Sequence, residues 1–442
     1  MNLATGTTSA SAPSAPVGQP DMPLCLPSLL GELNTWLEQQ LALPPPVGAA
    51  LALQVLSAAL GPAAHLVVGD SLSIPAGLNS LMIAPPGSAS SLARRMLMAP
   101  LLAIQGDLWE LAGNEPDHVV KLPVSSASPE DRACHKPVIL ATSPAFMELQ
   151  PSLARSFDGT VLTIQDAGGW ELFWPDLQAD RNGSRLQLFL RLLAGCSRVP
   201  PHGMPVREVI TLCAEVRPQF PAWQEFIAAL PPGLAARFLA VDLGSTPVAW
   251  SAAETLPVPL AERWSALVRR IFARRGEGAS PVYMSESTRG LFQQFHQQLL
   301  TQVVDKPVAE QELMLAWPTL ARRIALVLQQ AEEDVDQPLQ PAHALTGIAL
   351  TLQYGAQMQV WRGRAGQELL AARQLEDRQR VVARLKRRGE LSFRELCRSF
   401  NNQSSARWAP VLEQLVEEGL VVELPDGRFS LAEHQLRRLV TL

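Results

Sequence analysis

Cysteine is scarce and scattered. The five, Cys25, Cys134, Cys196, Cys213 and Cys397, form no CxxC pair and have no histidine at ligand spacing. That suggests neither a disulfide framework nor a zinc site, and it fits a reducing, cytoplasmic compartment. An excess of one charge is also missing. The 37 Lys and Arg stand against 42 Asp and Glu, a net charge of -5, so any DNA contact must be regional rather than chain-wide. The start, MNLATGTTSASAPSAP, has neither a basic n-region nor an apolar core, so no export signal is expected. An unbroken membrane-length apolar run is missing too. Val47 to Gly69 is uncharged, but Gly61-Pro62 divides it into a buried helix and a strand, each too short to span a bilayer, and no membrane partner is expected.

What is present is a composition that can build a core. With 47% hydrophobic and 18% charged residues over 442 positions, two or three domains are expected at roughly 150 residues each. Residues 1–22 are mostly small and polar and read as a disordered tail. Helical spacing follows from Leu24 to Gln40, and the Pro44-Pro45-Pro46 run leads into the apolar helix that ends at Leu60.

Short apolar runs then alternate with helical segments. The runs are His65 to Val68, Leu78 to Ala84, Val138 to Ala141, Thr160 to Gln165 and Val209 to Ala214. Between them lie helical stretches such as Ser90 to Gln105, Ser184 to Leu193 and Trp223 to Ala229. The alternation predicts an α/β domain over 23–255 with a mostly parallel sheet. Residues 256–375 read as a helical subdomain.

The last segment, 376–442, predicts a helix from Glu376 to Arg388, a stop at Gly389, and a helix opened by Ser392 with Glu395 three residues on. A helix from Ser404 to Glu418 and a hairpin turning at Pro425-Asp426-Gly427 complete it. That order is the winged-helix plan. Its core is expected at Val381, Leu385, Leu391, Phe393, Leu396, Leu412, Leu415, Leu420, Val422 and Phe429.

An ordered series of segments then resembles one family. These are LNSLMIAPPGSASSLARRMLMAPL, VLTIQDAGGWELF, VREVITLCAEVRP, GLAARFLAV and WPTLARRIALVL. From about Leu26 to Trp361 the chain is similar to the YfjI-like P-loop proteins of prophages and plasmids, which often accompany primase modules. The resemblance implies a P-loop NTPase-like α/β fold of the RecA or helicase kind and a role in mobile-element replication or maintenance, with replication proteins and a second copy of the chain as candidate partners.

The nucleotide site that it implies is degenerate. A P-loop wraps phosphates in backbone N–H groups at a helix N-terminus, reaches them with a lysine, and holds magnesium with the next Ser or Thr. Here the loop is Ala84-Pro85-Pro86-Gly87-Ser88-Ala89-Ser90-Ser91, with Ser90 at the lysine position and alanine at two glycine positions. The implied nucleotide residues are Gly87, Ser88, Ser90, Ser91, Asp166, Arg217 and Arg237. Asp166 is followed by Ala167 where a catalytic glutamate is wanted, and it reads either as a metal ligand or as a strand-ending turn residue. Arg217 and Arg237 read either as sensor and finger or as structural contacts, and Arg94 and Arg95 either as substitute cations or as a solvated face. Neither a catalytic residue nor a metal site is assigned, and ATP with magnesium is expected to bind weakly or not at all.

The better candidate is the C-terminal segment as a binder of double-stranded DNA. Arg384, Lys386, Arg387 and Arg388 are expected on phosphates. Asn402, Gln403, Ser404 and Ser405, at the start of the third helix, are expected on base edges, with Arg407 beside them on phosphate. Glu413, Glu417 and Glu418 on that helix favour the alternative of a protein-docking domain. Two further alternatives are an active motor using replacement residues and a pure interaction scaffold.

Overall fold

A computed structural model of the protein describes residues 26–69, 72–85, 88–114, 138–142, 145–146, 149, 152, 156, 160–180, 182–194, 197–198, 206–207, 209–217, 222–243, 254–332, 337–400 and 405–432. The chain divides into two compact units. The first comprises Met1–Trp223 and Leu230–Gln359, and the second Gln224–Ala229 and Val360–Leu442.

The first unit is α/β, built on a five-stranded, all-parallel sheet. Its spatial order is Leu140–Ala141, Thr160–Gln165, Val209–Val216, Asn79–Ile83, Phe238–Asp242, so the first strand in the chain lies between the fourth and the fifth. Asn79–Ile83 is buried at every residue, as a central parallel strand covered on both faces must be. The fifth strand, within GLAARFLAV, is not among the expected apolar runs; its Phe-Leu-Ala-Val is only four residues long before Asp242.

One expected strand lies elsewhere. Ala64–Val68 does not join the parallel sheet; it pairs antiparallel with Leu72–Pro75 and parallel with Ser280–Val282. Gly69, at φ 72°, helps to turn the chain back after it, a conformation glycine adopts without strain.

The apolar run preceding that strand is the helix Pro45–Leu60, whose residues from Val47 onward are all buried. A helix apolar all round belongs in a core, and among the described residues no helix is long and apolar enough to cross a membrane. Its two buried polar side chains are used. Gln54 donates to the Leu78 carbonyl at 2.9 Å, and Ser57 bonds both the Ala76 carbonyl and the Leu78 N–H at 2.9 Å. These bonds pin the segment that feeds the strand Asn79–Ile83. At the helix's C-terminal end, the buried Arg275 donates Nε to the Ala59 carbonyl at 2.9 Å and a second N–H to Ala58, satisfying carbonyls that no further turn can reach.

The helical residues from Val258 to Ala331 belong to this same compact unit. The next helix, Pro341–Arg388, is 48 residues long and runs unbroken through 375–376, where a separate domain was expected to start. Gly363 and Gly366 lie within it at exposed positions, and the sequence between them and Arg388 holds no proline. Good helix formers such as Leu, Ala, Arg and Gln carry the helix through.

In the second unit, Arg362 donates to the Ile227 carbonyl at 3.2 Å and Gln224 to Glu368, which ties Gln224–Ala229 to the long helix. Beyond Gly389 (φ 78°) come the strand Leu391–Ser392, the helices Phe393–Ser399 and Ser405–Glu417, and the strands Val421–Glu423 and Arg428–Leu431. The three strands form one antiparallel sheet with Arg428–Leu431 in the middle. The capping box is formed: Ser392 accepts from the Glu395 N–H, and Glu395 accepts from the Ser392 N–H.

The core of this unit includes Val381, Leu385, Leu396, Phe400, Trp408, Leu412, Leu415, Val421 and Leu431. Two expected members are displaced. Leu420 is 49% and Val422 39% exposed, whereas Val421 is 1% exposed. Side chains alternate along a strand, so a register one residue from the expected one turns the other set inward.

Candidate functional site

The loop expected to hold phosphate leaves the C-terminal end of the strand Asn79–Ile83, beside the C-terminal end of Val209–Val216. In open parallel sheets this carboxyl edge is where ligands bind. The Ala84 N–H donates to the Val216 carbonyl at 2.9 Å, and the helix Ser90–Asn114 follows. Gly87 lies outside the described residues. The Ser88 and Ser90 hydroxyls are 2.7 Å apart, and Ser90 is completely buried.

Ser91, at the position that would hold magnesium, instead donates its hydroxyl to Glu215, whose two carboxylate oxygens both lie 2.9 Å away. The buried Arg94, one turn on, stands 3.5 Å from the same carboxylate. Arg95 points to solvent. One buried anion therefore takes up both the loop's last serine and the nearest arginine. Burial also pushes the Cys213 thiol up, with Arg94 opposing it, so Cys213 stays a neutral core residue.

Glu215 was missed in the sequence. Its one signal is a lone carboxylate near the end of the apolar strand Val209–Val216, in ITLCAEV.

The other expected nucleotide residues have partners of their own. Asp166 follows the strand Thr160–Gln165 and caps the helix Ala167–Gln178, accepting from the Gly169 N–H at 2.6 Å. Arg217 lies 3.7 Å from Glu171, and Arg237 donates to the Ala194 carbonyl at 2.9 Å. Among the described residues no group of three or more His, Cys, Asp or Glu could hold a metal ion.

Of the expected DNA residues, Asn402, Gln403 and Ser404 lie outside the described residues, and Ser405 opens the helix Ser405–Glu417. Arg407 makes a two-pronged ion pair with the buried carboxylate of Asp377, Nε to one oxygen at 2.8 Å and a terminal N–H to the other at 2.7 Å. Its neighbour Trp408 is fully buried and stacks on Phe400 at 4.2 Å. Arg384 donates to the Ser399 carbonyl at 2.8 Å and lies over the Phe400 ring. Lys386, Arg387 and Arg388 are exposed at the end of the long helix, where cations also meet the negative end of the helix dipole.

No family model matches the chain, and no curated protein matches it, so its function rests on the geometry of its residues.

Proposed function

We propose that this chain is a DNA-associated, non-catalytic member of the P-loop NTPase-like proteins, RecA- or helicase-like in its sheet and ending in a winged helix, that serves mobile-element replication or maintenance. The observation that carries the inert half is the Ser91–Glu215–Arg94 cluster. A phosphate needs cations and free N–H or O–H donors, and here the hydroxyl and the nearest buried cation are already committed to a buried negative group. The absence of lysine at Ser90 and of glutamate at Ala167 points the same way.

Support for the fold comes from the parallel sheet with its first strand between the fourth and fifth. Support for the winged helix comes from the order helix, strand, helix, helix, hairpin in the second unit. Duplex DNA is the proposed partner, met by the basic end of the long helix; replication proteins of the same element are a second partner class, carried by the family resemblance.

The test is paired measurements on the full chain. Titration with a fluorescent ATP analogue and magnesium should give no saturable binding at micromolar protein, and a duplex DNA titration at low salt should give measurable affinity. Saturable, magnesium-dependent nucleotide binding with turnover would replace this function with that of a motor. Absence of DNA binding at low salt would replace it with that of a protein-docking scaffold.

A further inference from the structure

The cations of the second unit divide into committed and uncommitted sets. Arg407 is held by Asp377, Arg378 by Glu418, and Arg428 by both Glu390 and Asp426. Arg380 lies 3.8 Å from Asp377 and stacks over Phe400 and Trp408. Every one of these arginines lies on the third helix, on the hairpin, or on the long helix before its last two turns.

A second set forms no ion pair among the described residues: the exposed Arg364 and Arg373 earlier on the long helix, and a group at and beyond its end. Lys386, Arg387 and Arg388 are exposed in the last turn of the long helix, and Arg394 and Arg398 are exposed on the helix Phe393–Ser399. Arg394 and Arg398 are four residues apart and share one helix face. The hydrogen bond from Arg384 to the Ser399 carbonyl joins the long helix to the end of the short one, beside Arg398. Of the two carboxylates within this stretch, Glu390 is paired with Arg428, and Glu395, held by the Ser392 cap, keeps its charge and attracts Arg398.

The third helix has the opposite character. Past Arg407, its ionised side chains are Glu413 and Glu417, with Glu418 directly after it, and all three are exposed. Such a face repels phosphate. Trp408 and Leu412 face the core, and Arg407 can leave Asp377 only by giving up both bonds to a buried carboxylate, which would keep only Arg380 at 3.8 Å. The hairpin adds no uncommitted cation.

We infer that duplex DNA docks around the end of the long helix and on the exposed face of the helix Phe393–Ser399, through phosphates alone met by cations drawn from Lys386, Arg387, Arg388, Arg394 and Arg398, and that the third helix reads no base sequence. This rests on the DNA-binding function proposed above and places it on the second helix rather than the third. Phosphate contacts fix position without carrying sequence information, so the binding should be indifferent to sequence. With five cations available at most, the slope of log affinity against log salt should be no steeper than about −4 to −5.

The experiment is fluorescence anisotropy on the full chain, with two duplexes of unrelated sequence and one single strand, over a series of salt concentrations. The two duplexes should bind within about twofold of each other, since phosphate contacts are shared by all sequences. Arg394→Ala with Arg398→Ala should flatten the slope by about 2 and lower affinity at least about tenfold near 50 mM salt. Both side chains are exposed, and circular dichroism should confirm that the variant keeps its fold. Arg407→Lys, which keeps a cation opposite Asp377, should leave affinity and slope unchanged.

Three results overturn the placement while leaving DNA binding intact: a strong preference for one duplex, an unchanged slope in the Arg394/Arg398 variant, or tighter binding to the single strand. Failure of the unaltered chain to bind any duplex at low salt overturns the DNA-binding function itself.

Discussion

The Ser91 hydroxyl sits 2.9 Å from each oxygen of the Glu215 carboxylate, although 124 residues separate the two in the chain. Arg94 completes the cluster at 3.5 Å, and both charged residues are buried. Removing one member strands the other charge in the core, so Glu215→Ala should lower stability by about 3 kcal/mol or more. The double variant Glu215→Leu with Arg94→Met removes both charges and should recover most of that loss, because a buried pair is often replaceable by apolar groups of similar size. Urea denaturation of the parent, Glu215→Leu, Arg94→Met and the double variant measures the coupling. Additive losses would show that Glu215 and Arg94 do not act as a pair.

Restoring the lysine should not restore a nucleotide site. Ser90 is fully buried and bonded to Ser88, so Ser90→Lys places a long charged side chain at a fully buried position and breaks that bond. A loss of about 2 kcal/mol or more is expected from overpacking and charge burial. Phosphate release assayed with ATP and magnesium should stay at the buffer rate. Turnover in this single variant would mean that the Glu215 cluster opens readily.

Gly61 ends the helix Pro45–Leu60 at φ 52°, and a Cβ there would collide with the Arg275 guanidinium that bonds the Ala58 and Ala59 carbonyls. Gly61→Ala therefore meets an unfavourable backbone conformation and must also displace the group closing the helix end. About 2 kcal/mol of destabilisation is expected. Gly276→Ala, where a Cβ meets nothing within 4 Å, is the matched control and should change the thermal midpoint little. Equal effects of the two substitutions would contradict this account.

Elements with local signals were legible in the sequence. The strand Thr160–Gln165 has the expected bounds, and the capping box forms at the Ser392 and Glu395 spacing that announced it. What depended on distant partners was not. Glu215 has a meaning only opposite Ser91 and Arg94, and Arg407 looked like a free phosphate-contacting arginine because nothing in the third helix reveals Asp377, 30 residues earlier. The hairpin core missed by one residue for a related reason: Leu420, Val421 and Val422 are all apolar, so composition alone cannot set which of them faces inward. Ala64–Val68 has the texture of a sheet strand, but its partners, Leu72–Pro75 and Ser280–Val282, could not be inferred from that texture.

The capping box also predicts a pH response with a definite sign. The Ser392 hydroxyl and N–H hold the Glu395 carboxyl below the usual carboxylate range, the side-chain bond being the larger cause. A carboxyl whose pKa is depressed by folding contributes stability that is fully present above the ordinary carboxylate pKa and is lost as pH falls through the lower, folded value. Acidification should therefore loosen the start of the helix Phe393–Ser399, seen as faster amide exchange at its first turn. Ser392→Ala should cost about 1 kcal/mol at neutral pH, as the loss of an N-cap does. In that variant the Glu395 side-chain carbon signal, followed by NMR, should titrate closer to the ordinary carboxylate range. A Glu395 titration identical in parent and variant would show that Ser392 is not what holds it.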